Sequence, residues 1–120
     1  MPEPELQQGK YAENDGFQGL YRQLLDEGYT VFTRQDEPFE THFDQSRSDD
    51  QLVVISSGKV VFIVGETRYI LKDGDALVLP SGTVYTSSNE ERLPACYFMC
   101  TKTAGAAASE SSAESSGQAD

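Results

Sequence analysis

His42 is the chain's one histidine, and that scarcity bounds the chemistry open to the molecule. A catalytic divalent metal wants about three good protein ligands, imidazoles and carboxylates above all, with one position left open. Thr41-His42-Phe43-Asp44 supplies two such donors, His42 and Asp44. Cys96 and Cys100 add none. Four residues of strand span about 13 Å, a disulfide needs Cα atoms within about 7 Å, and the C-x2-C turn of a zinc clip is absent. Both read as buried thiols. No nucleophile elbow, phosphate loop or dinucleotide glycine pattern appears, and Gly16-Phe17-Gln18-Gly19 is too sparse to count as one.

These side chains must be carried by short strands. Phe17, Leu20, Tyr21, Leu24 and Leu25 recur at i, i+3, i+4, i+7 and i+8, which predicts a one-faced helix over about 15–27. Asn14 or Asp15 is its expected N-cap and Gly28 its left-handed stop. Its polar face carries Arg22, Asp26 and Glu27 and no basic stripe, so it is expected to pack on its own domain or on a dimer mate. From Thr30 the pattern changes to eight short β runs: 30–33, 39–43, 51–56, 59–64, 67–71, 76–79, 83–87 and 95–101. Turn residues separate them at Ser57-Gly58, Gly65-Glu66, Asp73-Gly74 and Ser81-Gly82, the spacing of an antiparallel sandwich or barrel.

At 120 residues the chain has material for one core. Residues 1–13 read as a flexible N-terminus, 14–103 as the folded domain, and 104–120, rich in Ala, Ser, Gly and Glu and without a large apolar residue, as a disordered tail. The net charge of −11 comes from 20 acidic and 9 scattered basic residues. Without a basic stripe, neither nucleic acid nor an anionic membrane is an expected partner. No secretory start and no apolar run near a membrane span of about 20 residues appear, so a cytoplasmic location is expected.

The run from Gly74 to Asn89 is the most specific signal. Pro80 presets one backbone angle and Gly82 permits a positive one, so the chain reverses between two strands. Gly74, Pro80, Gly82 and Asn89 fall at the spacing of G-x5-P-x-G-x2-H-x3-N, and the run resembles the second motif of the cupin superfamily, with Tyr85 where the metal-binding histidine stands. The first cupin motif, G-x5-H-x-H-x3-4-E-x6-G, is worn. Gln51 to Gly58 fits E-x6-G with Gln51 for the glutamate, and His42 and Asp44 resemble the H-x-H pair across a longer gap. With the loop shifted, Asp49, or Ser46 and Arg47, take the ligand positions instead. The resemblance covers about residues 30–101 and implies an all-β fold: a cupin-type antiparallel β-barrel, the double-stranded jelly roll, with one short N-terminal helix.

The resemblance further implies that Gln51 and Tyr85 point into the barrel mouth. Alternation then places Val53, Ile55, Thr83 and Ser87 inside and Leu52 and Val54 outside, under the helix or a second subunit. His42, Gln51, Thr83, Tyr85 and Ser87 would line a small pocket of neutral hydrogen-bonding groups, suited to an uncharged or weakly polar small molecule. As a metal set, His42, Asp44, Gln51 and Tyr85 are weak, because an amide and a phenol with a pKa near 10 replace stronger ligands. No metal or other cofactor is therefore expected. His42 and Tyr85 are the candidate catalytic residues, with no charged partner assignable to tune either.

Three functions follow. The favoured one is a metal-degenerate module for binding or sensing a small molecule, more a binder than an enzyme. The others are a metal-dependent dioxygenase or isomerase on His42, Asp44, Gln51 and Tyr85, and a metal-free isomerase or epimerase using His42 and Tyr85. Because cupins are frequently dimers, a homodimer is expected.

Overall fold

The computed structural model describes residues 3–13 and 16–102, so the expected N-cap at Asn14 or Asp15 and the tail 104–120 lie outside the described residues. In chain order the elements are β1 (Glu5–Gln7), α1 (Gly16–Asp26), β2 (Tyr29–Asp36), β3 (Thr41–Gln45), β4 (Gln51–Ser57), β5 (Lys59–Val64), β6 (Thr67–Lys72), β7 (Ala76–Leu79), β8 (Tyr85–Ser88) and β9 (Ala95–Lys102). The strands form a five-stranded sheet, β1-β7-β4-β9-β2, and a four-stranded sheet, β3-β8-β5-β6. All pairings are antiparallel. This is the two-sheet antiparallel architecture of a jelly roll, with the barrel not closed by hydrogen bonding, since no strand is shared between the sheets.

The period-2 pattern sorts side chains into two cores. Val53, Ile55, Phe62, Leu77, Tyr85 and Tyr97 belong to the core between the sheets. Leu52, Val54, Phe98 and Cys100 lie on the opposite face of the larger sheet, against Leu20 and Leu24 of α1. The helix therefore supplies the cover that β4, apolar on both faces, requires. Leu20 and Leu24 are fully buried, each contributing roughly 1.5–3 kcal/mol of transfer free energy. Gly28 ends the helical segment at φ 95°, with its N–H donating to the Leu25 carbonyl at 3.0 Å.

The N-terminal segment differs from the sequence reading of 1–13 as flexible. Glu5–Gln7 forms an edge strand on β7, and Tyr11 is buried. The Tyr11 N–H donates to the Gly74 carbonyl at 2.8 Å, its hydroxyl to Glu27 Oε1 at 2.8 Å, and the Gly9 N–H to the buried Asp75 carboxylate at 2.7 Å. Three residues are too few to show a period, and the open edge of β7 offers backbone partners that only the folded sheet creates.

The second motif acts as punctuation. The Thr83 N–H donates to the Pro80 carbonyl at 3.1 Å with Gly82 at φ 79°, a turn whose third position needs the left-handed region. β8 begins at Tyr85, so Thr83 belongs to that turn and not to the strand. Cys100 is buried and Cys96 partly so. Burial, helped by the nearby Glu27 charge, pushes the Cys100 thiol up to about 12 and burial raises that of Cys96, leaving both protonated at neutral pH.

Candidate functional site

β8 and β9 build the polar end of the inner core. Tyr85 is buried against Phe62, ring centroids 5.5 Å apart, and Tyr97 meets Phe62 edge-on at 6.4 Å. Arg34, two residues before the end of β2, holds its guanidinium carbon 5.8 Å from the Tyr97 ring centroid. Burial raises the Tyr85 pKa above its ordinary 10 while the positive charges of Arg34 and Arg47 pull it back. At neutral pH the phenol keeps its proton and can donate it, with the two cations near enough for their charge to act on it. No hydrogen bond holds its hydroxyl among the described residues. Tyr85 also borders an open depression of about 370 Å³ with Asp44, Ile63, Val84 and Thr86.

The residues singled out from sequence do not converge on one point. His42 pairs with Ser87 in register, and its Nε2 lies 3.2 Å from Asp36 Oδ1 and 3.1 Å from Glu40 Oε2. Ser87 is buried opposite Phe62. Gln51 donates through Nε2 to Thr101 Oγ1 at 3.1 Å. Asp36 stands opposite Ala95 while Gln51 sits beside Thr101, at the two ends of β9. Six residues of strand separate those ends, about 20 Å. Thr83 stays in the Pro80 turn.

A bulge decides the first motif. Between His42 and Gln45 the register slips by one residue, so Gln45 pairs with Tyr85. Asp44, at φ 50°, is exposed, and its N–H donates to Thr86 Oγ1 at 3.2 Å. Counted back from Gln51, the spacing H-x-H-x3-E then falls on Gln45 and Arg47, and the Arg47 carbonyl accepts the Gly82 N–H at 2.8 Å. The positions that hold metal in the motif thus carry Gln45, Arg47, Gln51 and Tyr85. Two neutral amides, a permanent cation and a phenol kept protonated do not fit a divalent ion.

Sequence reading missed Arg34, Asp36, Glu40 and Tyr97. Its first β run stops at Thr33, whereas β2 continues to Asp36. Arg34 and Asp36, two apart, then share one face of that strand. Asp36 is buried and accepts the Tyr97 hydroxyl at 2.9 Å.

A family model described as the cupin domain matches residues 27–101. No curated protein matches the chain. Among solved structures, a cupin superfamily protein from Desulfitobacterium hafniense is similar at TM-score 0.56 and 14% identity, over 63% of this chain and 68% of that one. A Cupin 2 conserved barrel domain protein from Salinispora arenicola gives TM-score 0.58 and 13% identity, over 65% and 66%. The EutQ protein of Clostridium difficile gives 0.55 and 16%, over 62% and 56%. The chain thus spans from little over half to about two thirds of these relatives, and at such identities the likeness is one of fold.

Proposed function

The chain belongs to the cupin domain family, and from that premise we propose that it is a small-molecule-binding or sensing module that has given up the metal of the barrel mouth. One observation carries the reading: Tyr85, at the histidine position of the second motif, presents a protonated hydroxyl with no hydrogen-bond partner among the described residues, within reach of the charges of Arg34 and Arg47. A donor flanked by cations favours a ligand with an anionic oxygen, which replaces the uncharged ligand expected from sequence. The apolar wall of Phe62 and the ring of Tyr97 suit a short hydrocarbon or aromatic body behind that oxygen.

The test is calorimetric titration of a panel of small carboxylates beside the corresponding primary amides. Carboxylates are expected to bind at least tenfold tighter than their amides, with that preference lost in Arg34→Gln and affinity lowered several-fold in Tyr85→Phe. Equal affinity for amide and acid, or a preference that survives Arg34→Gln, would remove the reading.

Phe43, Ile70 and Val84 stand exposed on or beside the four-stranded sheet, which supports the proposed homodimer. Light scattering should then give twice the chain mass of 13.2 kDa, and Ile70→Lys should return it to the single-chain value. A monomeric mass for the parent protein would dismiss the dimer. No helix among the described residues is long and apolar enough to cross a membrane.

A further inference from the structure

Asp36, Glu40 and His42 bring a carboxylate, a second carboxylate and an imidazole to one point, each offering an atom within 4.8 Å of the others. They come from the last residue of β2, the turn after it and the second residue of β3. Each carboxylate is held by one oxygen and presents the other. Asp36 Oδ2 accepts the Tyr97 hydroxyl at 2.9 Å while Oδ1 faces His42 Nε2 at 3.2 Å. Glu40 Oε1 accepts the Glu37 N–H at 2.7 Å while Oε2 faces the same nitrogen at 3.1 Å. The turn between them is tied down as well. The fully buried Asn89 donates to the Glu37 carbonyl at 3.1 Å, and its N–H donates to the Glu40 carbonyl at 2.9 Å.

We infer that Asp36, Glu40 and His42 form a divalent transition-metal site of one nitrogen and two oxygen donors, separate from the motif positions at the mouth. Metal–ligand bonds of about 2.0–2.2 Å place neighbouring donors roughly 3.0–3.4 Å apart in octahedral or tetrahedral geometry, and the two separations from Nε2 already fall there. Two carboxylates balance a doubly charged ion, and the Asp36 carboxylate, 1% exposed, is one that gains from a cation beside it. The Tyr97 hydroxyl and Glu37 N–H are the outer partners that orient such ligands. His42 at 24% exposure and Glu40 at 35% leave a side open for water or a further ligand. Imidazole with carboxylate suits zinc, iron or manganese better than magnesium or calcium.

Titration of zinc chloride into untagged, chelator-stripped protein, followed by calorimetry and by the His42 imidazole resonances, tests the site. One zinc per chain is expected, with Nε2 as the nitrogen whose resonance moves. His42→Ala and Glu40→Gln should each weaken binding at least tenfold, and Tyr97→Phe about tenfold through the lost outer partner. Glu66→Gln, at an exposed carboxylate of the turn between β5 and β6, should leave the affinity unchanged and so separate the site from general acidity. Because Glu40 is partly exposed, Glu40→Gln disturbs no core packing. Absence of stoichiometric uptake, or uptake undiminished in either His42→Ala or Glu40→Gln, would overturn the inference and leave the three groups as a proton-bridged ion cluster.

Discussion

Replacing Gly74 by alanine is expected to cost more than about 3 kcal/mol of folding stability, enough to leave much of a marginal domain unfolded. Gly74 sits at φ 85°, where an L side chain is strained by roughly 1–3 kcal/mol. The added Cβ would also lie 2.6 Å from the Ala12 Cα and 2.9 Å from the Ala12 nitrogen, both backbone atoms. Backbone cannot swing aside as a flexible side chain does. Relief therefore means lifting the N-terminal segment away, with loss of the Tyr11 N–H bond to the Gly74 carbonyl and exposure of the buried Tyr11 ring. Urea unfolding monitored by tyrosine fluorescence gives the measurement. Gly82→Ala supplies the contrast: its φ is 79°, yet nothing lies within 4 Å of the new carbon, so it should cost only the conformational strain, roughly 1–3 kcal/mol. Equal midpoints for the two variants would show that the Ala12 contact is not what makes Gly74 necessary.

Asn89→Ala should be of similar size, about 3 kcal/mol or more. The Asn89 amide donates to the carbonyls of Leu93 at 2.8 Å and Glu37 at 3.1 Å, and its Oδ1 accepts the Glu91 N–H at 3.0 Å. The residue is fully buried, so alanine leaves several backbone groups short of partners, at about 1–3 kcal/mol for each one that water cannot reach. Asn89→Asp keeps the acceptor for Glu91 but loses both donors and adds a buried charge, and should fare no better. A drop in the urea midpoint with an unchanged slope is the expected signature. A folding stability within about 0.5 kcal/mol of the parent would mean that water replaces the amide.

Together the two variants divide the run from Gly74 to Asn89 by purpose. Its ends are needed by the fold: one lets the N-terminal segment close on the β6–β7 turn, and the other pins the turn from Asp36 to Glu40. Tyr85, between them, is where the pocket chemistry changes. The same Asn89 contacts link the barrel motif to the proposed metal ligands, since Glu40 hangs from the turn that Asn89 holds.

What the sequence determined by itself was local. The helix came from a 3.6-residue period, most strands from their runs and turn residues, and the Pro80 turn from the two residue types that set its angles, because each depends on neighbours within a few positions. The face each β4 residue buries also followed from alternation, and only the structure identified α1 as the outer cover. The site depended on tertiary structure. A single bulge put Gln45, not Asp44, opposite Tyr85, and no residue type in Phe43-Asp44-Gln45 announces it. Asp36 meets Tyr97 across 61 residues, and His42 faces Asp36 and Glu40 instead of Gln51. Such pairings are set by which sheet a strand joins and where its register falls. Those are consequences of burying both cores at once, and one-dimensional spacing does not contain them.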